Sequence, residues 1–130
     1  MLIKRGYTLI EILVVVVIIG ILASLGLPNY FKLQEKSLDR EAKASLALIR
    51  AAERVYRMEI GFYYPDSGSK SVSDINTDLK LSLPTSSPKW TYSVTTPGGL
   101  ATAARSGRTW TLDSSGPSED ATCSPVGSCP

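Results

Sequence analysis

The chain has 130 residues, of which 43% are hydrophobic and 20% are charged, so its composition is that of about one folded domain and not of a disordered chain. It contains no histidine, which excludes histidine metal ligands, Ser-His or Cys-His nucleophile pairs and an imidazole base. The formal net charge is only +2 and no basic block is present, so no specific nucleic-acid partner is predicted.

A long apolar run lies near the N-terminus. Lys4 and Arg5 precede it, and Ile12–Phe31 contains no charged residue over 20 positions. A short basic stretch before such a run is typical of a membrane-targeting segment whose positive charges stay in the cytoplasm. A cleaved signal peptide, cut after the Leu22-Ala-Ser-Leu sequence, is the alternative. Two features disfavour it: the run continues into a helical pattern without a break, and Glu11 lies near its start.

Glu11 is the most informative residue of the run. An ionisable side chain in hydrocarbon costs about 2.5–3.5 kcal/mol and normally has a partner. Nothing in the apolar segment itself can supply one. Cleavage between Gly6 and Tyr7 would create an ammonium at Tyr7 that a neighbouring copy, shifted along the helix axis, could offer to Glu11. This predicts self-assembly by charge neutralisation between subunits. The alternative is a carboxylate tolerated at the membrane edge that protonates as needed.

The N-terminal residues resemble the signature of the type IV pilin superfamily, which includes pilins, type II secretion pseudopilins and related filament subunits. The resemblance rests on Lys4-Arg5-Gly6-Tyr7-Thr8-Leu9-Ile10-Glu11, the apolar run and Leu27-Pro28. It implies cleavage by a prepilin peptidase after Gly6, N-methylation of Tyr7 and a register-setting role for Glu11. The family usually has phenylalanine at the position of Tyr7, and because the ring is kept we expect processing to be retained.

The run itself predicts a helix that is apolar on all sides. Tyr7–Leu27 is 21 residues long, which as α-helix spans about 31 Å, the thickness of a bilayer core. Gly20 and Ser24, four positions apart, would allow close helix contact. Pro28 lacks a backbone N–H and is predicted to kink or loosen the helix. It either marks a bend at the membrane surface or, as the resemblance favours, ends a segment from Gly20 that partly unwinds in a filament.

Beyond this run the pattern becomes amphipathic. Asn29–Ile60 carries apolar residues at three- or four-residue spacing, and Gly61 follows as the natural C-cap, so Tyr7–Ile60 is predicted to form one helix of 54 residues, about 80 Å long. The positions of this apolar stripe are Leu38, Ala42, Leu46, Ile49, Ala52, Val55, Tyr56 and Ile60.

Two charge pairs are predicted on the solvated face of this helix half. Asp39 with Lys43 and Glu53 with Arg57 have the i,i+4 spacing of helix ion pairs, each worth a few tenths of a kcal/mol.

The rest of the chain predicts a small β-sheet. Strand-like runs at Trp90–Thr95, Leu100–Arg105 and Arg108–Asp113 are separated by turn residues at 97–99 and 106–107, which indicates a three-stranded antiparallel meander whose aromatic face packs on the helix stripe. Before it, Ser67–Ser73 is read as a polar loop and Ser73–Leu83 as a short helical turn.

The predicted fold class is therefore α+β, a long N-terminal helix packed against a small antiparallel sheet, as in the pilin fold that the resemblance implies. The predicted parts are a removed leader at 1–6, a membrane and filament-core helix at 7–28, the amphipathic half of the same helix at 29–60, and a globular head at 61–130. A head of 70 residues has a thin core of its own and should need the helix to fold.

The C-terminal part contains two further candidate sites. Cys123 and Cys129 are predicted to form a disulfide outside the cytoplasm, since two thiols without histidine are too few for structural zinc. Asp113, Glu119 and Asp120 surround an oxygen-rich loop. Such loops can hold calcium, and major pseudopilins resemble this, but the spacing matches no strict motif and an ordinary acidic loop is the favoured interpretation. No cofactor is predicted.

We interpret the chain as a structural subunit, the major pilin of a type IV pilus-like filament, and not as an enzyme. It should form a helical homopolymer, with the inner membrane, prepilin peptidase and pilus assembly machinery as partners, and end as an extracellular filament. A periplasmic major pseudopilin of a type II secretion system is the alternative: the cysteine pair favours a pilin, and the acidic loop weakly favours the pseudopilin. A single-span membrane-anchored binding module is the alternative from another class.

Overall fold

A computed structural model describes residues 6–85 and 89–129, with all of their side chains except that of Pro28. The chain divides into two compact units, Met1–Lys36 and Ser37–Pro130. The elements in chain order are helix α1 Leu9–Ile60, strand β1 Ser69–Ser71, helix α2 Val72–Asp78, and strands β2 Thr91–Thr95, β3 Leu100–Arg105, β4 Arg108–Asp113 and β5 Thr122–Ser124.

Helix α1 confirms the long helix that the periodicity predicted. It begins at Leu9, two residues later than predicted, and is helical at every position to Ile60, including Gly20 and Pro28. The helix is therefore unbroken at the place where a loosened turn was expected. At its end, Gly61 has a φ of 100° and its N–H donates to the Arg57 carbonyl at 2.8 Å, which confirms the predicted C-cap.

The sheet has five strands, not the three that the sequence predicted. All neighbours are antiparallel in the order β1-β2-β3-β4-β5, and the three predicted strands form its centre. The two extra strands are three residues each: Ser69 pairs with Thr95 at one edge, and Thr122 pairs with Thr111 at the other. They carry no alternating apolar pattern, so only the pairing with a neighbouring strand identifies them. The segment Ser67–Ser73, predicted as a loop, thus contains β1, and the predicted helical turn is α2.

The core of the second unit is formed by one face of α1 and the inward face of the sheet. The buried apolar residues include Leu38, Ala42, Leu46 and Ile49 of the helix and Trp90, Tyr92, Val94, Ala101, Ala103, Trp110 and Leu112 of the sheet. Two members of the predicted helix stripe were wrongly placed, because Val55 and Ile60 are about half exposed.

Asp39 lies in this core, so its assignment to an exposed pair with Lys43 was wrong. Its side chain is buried, and its Oδ1 accepts a hydrogen bond from Trp110 Nε1 at 3.0 Å and lies 3.3 Å from the Arg108 guanidinium. Lys43 lies over the Trp110 ring instead, with its Nζ 4.2 Å from the ring centroid. The partners of Asp39 come from β4, which no local spacing in the helix could indicate.

Candidate functional site

The N-terminus of α1 is closed by a reciprocal set of hydrogen bonds between Thr8 and Glu11. Glu11 Oε2 accepts from the Thr8 backbone N–H at 2.9 Å and from Thr8 Oγ1 at 3.0 Å, and the Glu11 N–H donates to Thr8 Oγ1 at 3.3 Å. This is the capping box, in which an N-cap hydroxyl and a glutamate three residues later satisfy each other's backbone donors.

The capping box corrects the interpretation of Glu11 as a carboxylate without a partner in its own chain. Sequence reasoning missed Thr8, although the Thr-x-x-Glu spacing before an apolar run is a recognisable signal for this cap. Only Oε2 takes part: among the residues that the structure describes, Glu11 Oε1 accepts no hydrogen bond. One oxygen of Glu11 therefore orders the first turn, and the other is available to a second partner.

The predicted cleavage site lies just outside the helix. Gly6 and Tyr7 have no regular secondary structure, and the Tyr7 side chain is 82% exposed. Lys4 and Arg5, the predicted leader charges, lie outside the described residues.

The first 19 residues of α1 present an apolar surface in all directions. The large apolar side chains from Leu9 to Leu27 are between 48% and 85% exposed, and the segment is long and apolar enough to cross a membrane. The Ser24 hydroxyl donates to the Ile21 carbonyl at 2.7 Å, so it is satisfied within its own helix. A Cβ built on Gly20 meets no atom within 4 Å, which leaves this position open to a neighbouring helix.

The second unit contains a buried carboxyl group that the sequence analysis placed on the wet face. Glu53 is fully buried, and neither of its carboxyl oxygens has a hydrogen-bond partner among the described residues. The predicted partner, Arg57, instead donates to the Tyr63 hydroxyl at 3.0 Å. Desolvation, reinforced by the negative charge of Asp113, raises the pKa of Glu53 to about 9, so this carboxyl is neutral at pH 7.

The turn between β2 and β3 leaves room for this carboxyl only because it contains glycine. Gly99 has a φ of +70°, and a Cβ at this position would lie 2.5–2.9 Å from the carboxyl atoms of Glu53. The predicted turn at 97–99 is confirmed, and its second glycine is required both by backbone conformation and by the close approach of the helix side chain.

We expect Gly99→Ala to lower the free energy of unfolding by about 2–4 kcal/mol, from left-handed backbone strain and from overpacking. In a Glu53→Ala background the clash is absent. Gly99→Ala should then lower the free energy of unfolding only by the backbone strain, about 1–2 kcal/mol. Denaturant unfolding of the full chain in detergent, arranged as a double-mutant cycle, measures this difference. Equal costs in both backgrounds would contradict the close contact.

The three calcium candidates do not form a metal site in the structure. Asp113 Oδ1 already accepts from the Ser115 N–H at 2.8 Å, the Ser115 hydroxyl at 2.7 Å and the Gly116 N–H at 3.2 Å, and these bonds hold the pKa of Asp113 below its usual value. In the described part of the chain, no three Asp, Glu, His or Cys residues are grouped so as to hold a metal ion.

The predicted disulfide is present between Cys123 and Cys129. It closes a loop that contains a 3-10 turn, Val126–Ser128, and Arg108 of β4 donates to the Ser128 carbonyl at 3.2 Å. Because Arg108 also pairs with Asp39, the last residues of the chain are joined to the core of the second unit through one guanidinium group.

Removal of the disulfide by a Cys123→Ser and Cys129→Ser double substitution should lower the free energy of unfolding by about 2 kcal/mol, the value for so short a closed loop. Thermal unfolding of the full chain in detergent checks this. The unsubstituted chain with reductant should unfold like the double variant, and no difference between its oxidised and reduced forms would contradict the expected contribution.

A long N-terminal helix followed by a small antiparallel sheet is consistent with the pilin fold. The family described as the prokaryotic N-terminal methylation motif matches residues 1–27. This motif and the relatives that follow support a place for the chain in the type IV pilin superfamily.

The relatives include both pilins and pseudopilins. The chain is 46% identical over 56 residues to the type IV major pilin protein PilA of Myxococcus xanthus, which is 43% of this chain and 26% of that protein. It is 40% identical over 62 residues to the type II secretion system core protein G of Escherichia coli, covering 48% of this chain and 42% of the relative. With core protein G of Aeromonas hydrophila it shares 31% identity over 86 residues, 66% of this chain and 55% of the relative.

The matched regions thus span about a quarter to about half of these relatives. No solved structure matches the chain.

Proposed function

We propose that this chain is the major structural subunit of a type IV pilus-like filament and has no catalytic role. In this proposal a prepilin peptidase cuts after Gly6, the new amino group of Tyr7 is methylated, and the subunit waits in the inner membrane until an assembly machine extracts it. The extracted subunits then polymerise through their N-terminal helices into an extracellular filament.

The observation that carries the proposal is the exposed apolar helix segment Leu9–Leu27, which lies within the match to the N-terminal methylation motif at residues 1–27. Its large side chains are exposed on every side of the helix, so they need lipid or other helices as surroundings. Moving from lipid to a bundle of like helices gains little hydrophobic free energy, because lipid tails are as apolar as leucine. Polar pairs and close contacts at small residues must then favour the filament.

Glu11 can provide the polar pair. Its Oε2 is engaged by Thr8, while Oε1 is open to the methylated ammonium of Tyr7 from a neighbouring subunit. Gly20 and Ser24 would provide the close contacts, and Pro28 would allow the preceding turns to unwind as the helices pack.

The second candidate function is that of a major pseudopilin in a type II secretion system. Core protein G relatives from several bacteria favour it, since they match the chain at 31–42% identity. Such a subunit would share the processing steps and the helix bundle but form a short filament that stays in the periplasm.

Fractionation of the native host tests the proposal. Sheared surface material should contain the chain within long fibres visible by negative staining, and deletion of the gene should remove them. Fibres that are absent from the surface, together with secreted proteins that accumulate in the periplasm of the deletion strain, would support the pseudopilin instead. A chain that remains monomeric in the membrane of assembly-competent cells would contradict both functions.

A further inference from the structure

The turn between β3 and β4 lies at the end of the second unit where its part of α1 begins. Trp90, which directly precedes β2, donates from Nε1 to the Leu38 carbonyl at 2.9 Å. The guanidinium groups of Arg105 and Arg108 lie 5.9 and 5.7 Å from the centroid of the Trp90 ring. These two arginines pair across the turn at 106–107. In sequence, this is the end at which the chain enters the second unit from the apolar first unit.

This end of the second unit carries a cluster of basic side chains. We call the cluster the basic end, and its residues are Arg40, Lys43, Lys89, Arg105 and Arg108. The first three are exposed, whereas the two strand arginines are partly buried and hold contacts within the chain. Two acidic side chains, Asp39 and Glu41, lie beside them, and Asp39 is buried and engaged by Trp110 and Arg108. The basic end therefore has a net positive charge and exposes three cations.

The disulfide loop adds an apolar group beside the basic end. Arg108 donates to the Ser128 carbonyl at 3.2 Å, so the loop lies next to the turn between β3 and β4. In this loop the Val126 side chain is 86% exposed. Exposed apolar side chains among basic ones are typical of surfaces that bind the membrane interface.

Chain length keeps the basic end close to the membrane of an anchored subunit. Leu38 follows Phe31, the last residue of the uncharged run, by seven positions. As part of helix α1 these positions rise about 10 Å. The headgroup layer of a bilayer is about 5–8 Å thick, and the potential of anionic lipids extends about 8 Å beyond it at physiological salt. The basic end of an anchored subunit is therefore within reach of this potential.

We propose that the basic end binds the phosphate groups of anionic phospholipids in the leaflet on its own side of the membrane. The proposal rests on the membrane anchoring that is part of the proposed function. Each exposed Lys or Arg side chain near an anionic leaflet favours binding about fivefold. The three exposed cations should therefore hold the second unit against the headgroups while the subunit waits for assembly, and extraction would break these contacts.

Headgroup quenching of a fluorescent label tests the lipid contact. Both native cysteines are held in the disulfide, so Ser106→Cys provides one free thiol, at the exposed turn of the basic end. The labelled full chain is placed in nanodiscs of phosphatidylcholine with or without about a third of phosphatidylglycerol, and both discs carry a lipid with a quencher on its headgroup. Fluorescence lifetimes should give a ratio of docked to undocked label about tenfold higher in the anionic discs. Equal ratios in the two discs would overturn the proposal.

Charge reversal shows whether the basic end makes the contact. Arg40→Glu combined with Lys89→Glu should lower the docked-to-undocked ratio in anionic discs by about tenfold or more. Arg54→Glu combined with Arg57→Glu is the matched control, because it changes the net charge equally at two exposed positions about 20 Å further along α1. The control should lower the ratio by less than about twofold. An equal loss from both pairs, or no loss from the first pair, would contradict binding through the basic end.

Salt and a soluble phosphate separate the leaflet from other sources of the same chemical group. At about 1 M salt the Debye length is about 3 Å, so the difference between the two discs should disappear. Soluble glycerol phosphate at constant ionic strength should leave the ratio unchanged, because the leaflet presents many headgroups to the basic end at once. Displacement by glycerol phosphate would overturn the lipid assignment in favour of a free phosphate. Fibres are not measured, so failure of the filament function would appear in the surface fractionation and not in this result.

Discussion

Replacing Glu11 by glutamine or valine will leave membrane insertion intact and sharply reduce fibre assembly. In the proposed filament, the substituted side chain would no longer neutralise the ammonium of a neighbouring Tyr7. Removing one partner of a desolvated charge pair costs about 2–5 kcal/mol, so we expect fibre yield to fall by a factor of about 30 or more. Sheared-fibre yield relative to the membrane pool measures the effect.

The capping box supplies a matched control for this prediction. Thr8→Val keeps the shape of the side chain and removes the hydroxyl that bonds to Glu11, which should weaken the first turn of α1 by about 1 kcal/mol. The carboxylate remains, so Thr8→Val should still form fibres. Normal fibres from Glu11→Gln, or equal loss from Thr8→Val, would show that Glu11 acts only as a helix cap.

The second large effect is a loss of stability with rising pH that depends on Glu53. Burial raises the pKa of this carboxyl from 4.5 to about 9. Below about pH 4.5 the group is neutral in the folded and unfolded states alike, and its raised pKa has no effect on stability. Between these two pH values the unfolded chain releases the proton while the folded chain retains it, so the free energy of unfolding should fall by up to about 1.4 kcal/mol per pH unit.

Glu53→Gln removes the titrating carboxyl group, and with it the fall of the free energy of unfolding as the pH rises. Unfolding midpoints in denaturant, measured on the full chain in detergent from pH 5 to pH 9, should decline for the unsubstituted chain and stay nearly constant for the variant. Asp113→Asn should end the decline at a lower pH, because the charge of Asp113 contributes to the raised pKa of Glu53. Parallel curves for the unsubstituted chain and Glu53→Gln would contradict the neutral buried carboxyl.

Where the sequence carried a long regular pattern, the prediction was accurate. The apolar run and the stripe after it predicted a helix that ends at Ile60, and the runs with alternating aromatic and polar residues predicted β2, β3 and β4. Both glycine-containing turns between these strands were also found. These signals are local, so neighbouring residues suffice to read them.

The errors concern features that depend on contacts distant in sequence. Asp39 and Glu53 have the spacing of exposed ion pairs, yet both lie on the buried face of α1. Asp39 can be buried because Trp110 and Arg108 supply polar partners. Glu53 can be buried because the turn at Gly99 leaves room for its carboxyl group. The outermost strands exist only through their pairing with β2 and β4.

At the N-terminal site, the prediction from sequence was incomplete for a different reason. The Thr8–Glu11 capping box is readable from four residues, but a carboxylate beside an apolar run draws attention to intermolecular charge pairs first. The structure adds that one oxygen serves the helix and leaves the other open, so the two roles are compatible.

The central claim is that this chain is processed at its N-terminus to become a filament subunit. Intact-mass and N-terminal fragment spectra of the chain, purified from native membranes and from sheared fibres, test it most directly. The account predicts a mature chain that starts at N-methylated Tyr7 in both samples. A chain that retains Met1, or one that starts near Leu25 after cleavage of an ordinary signal peptide, would contradict it.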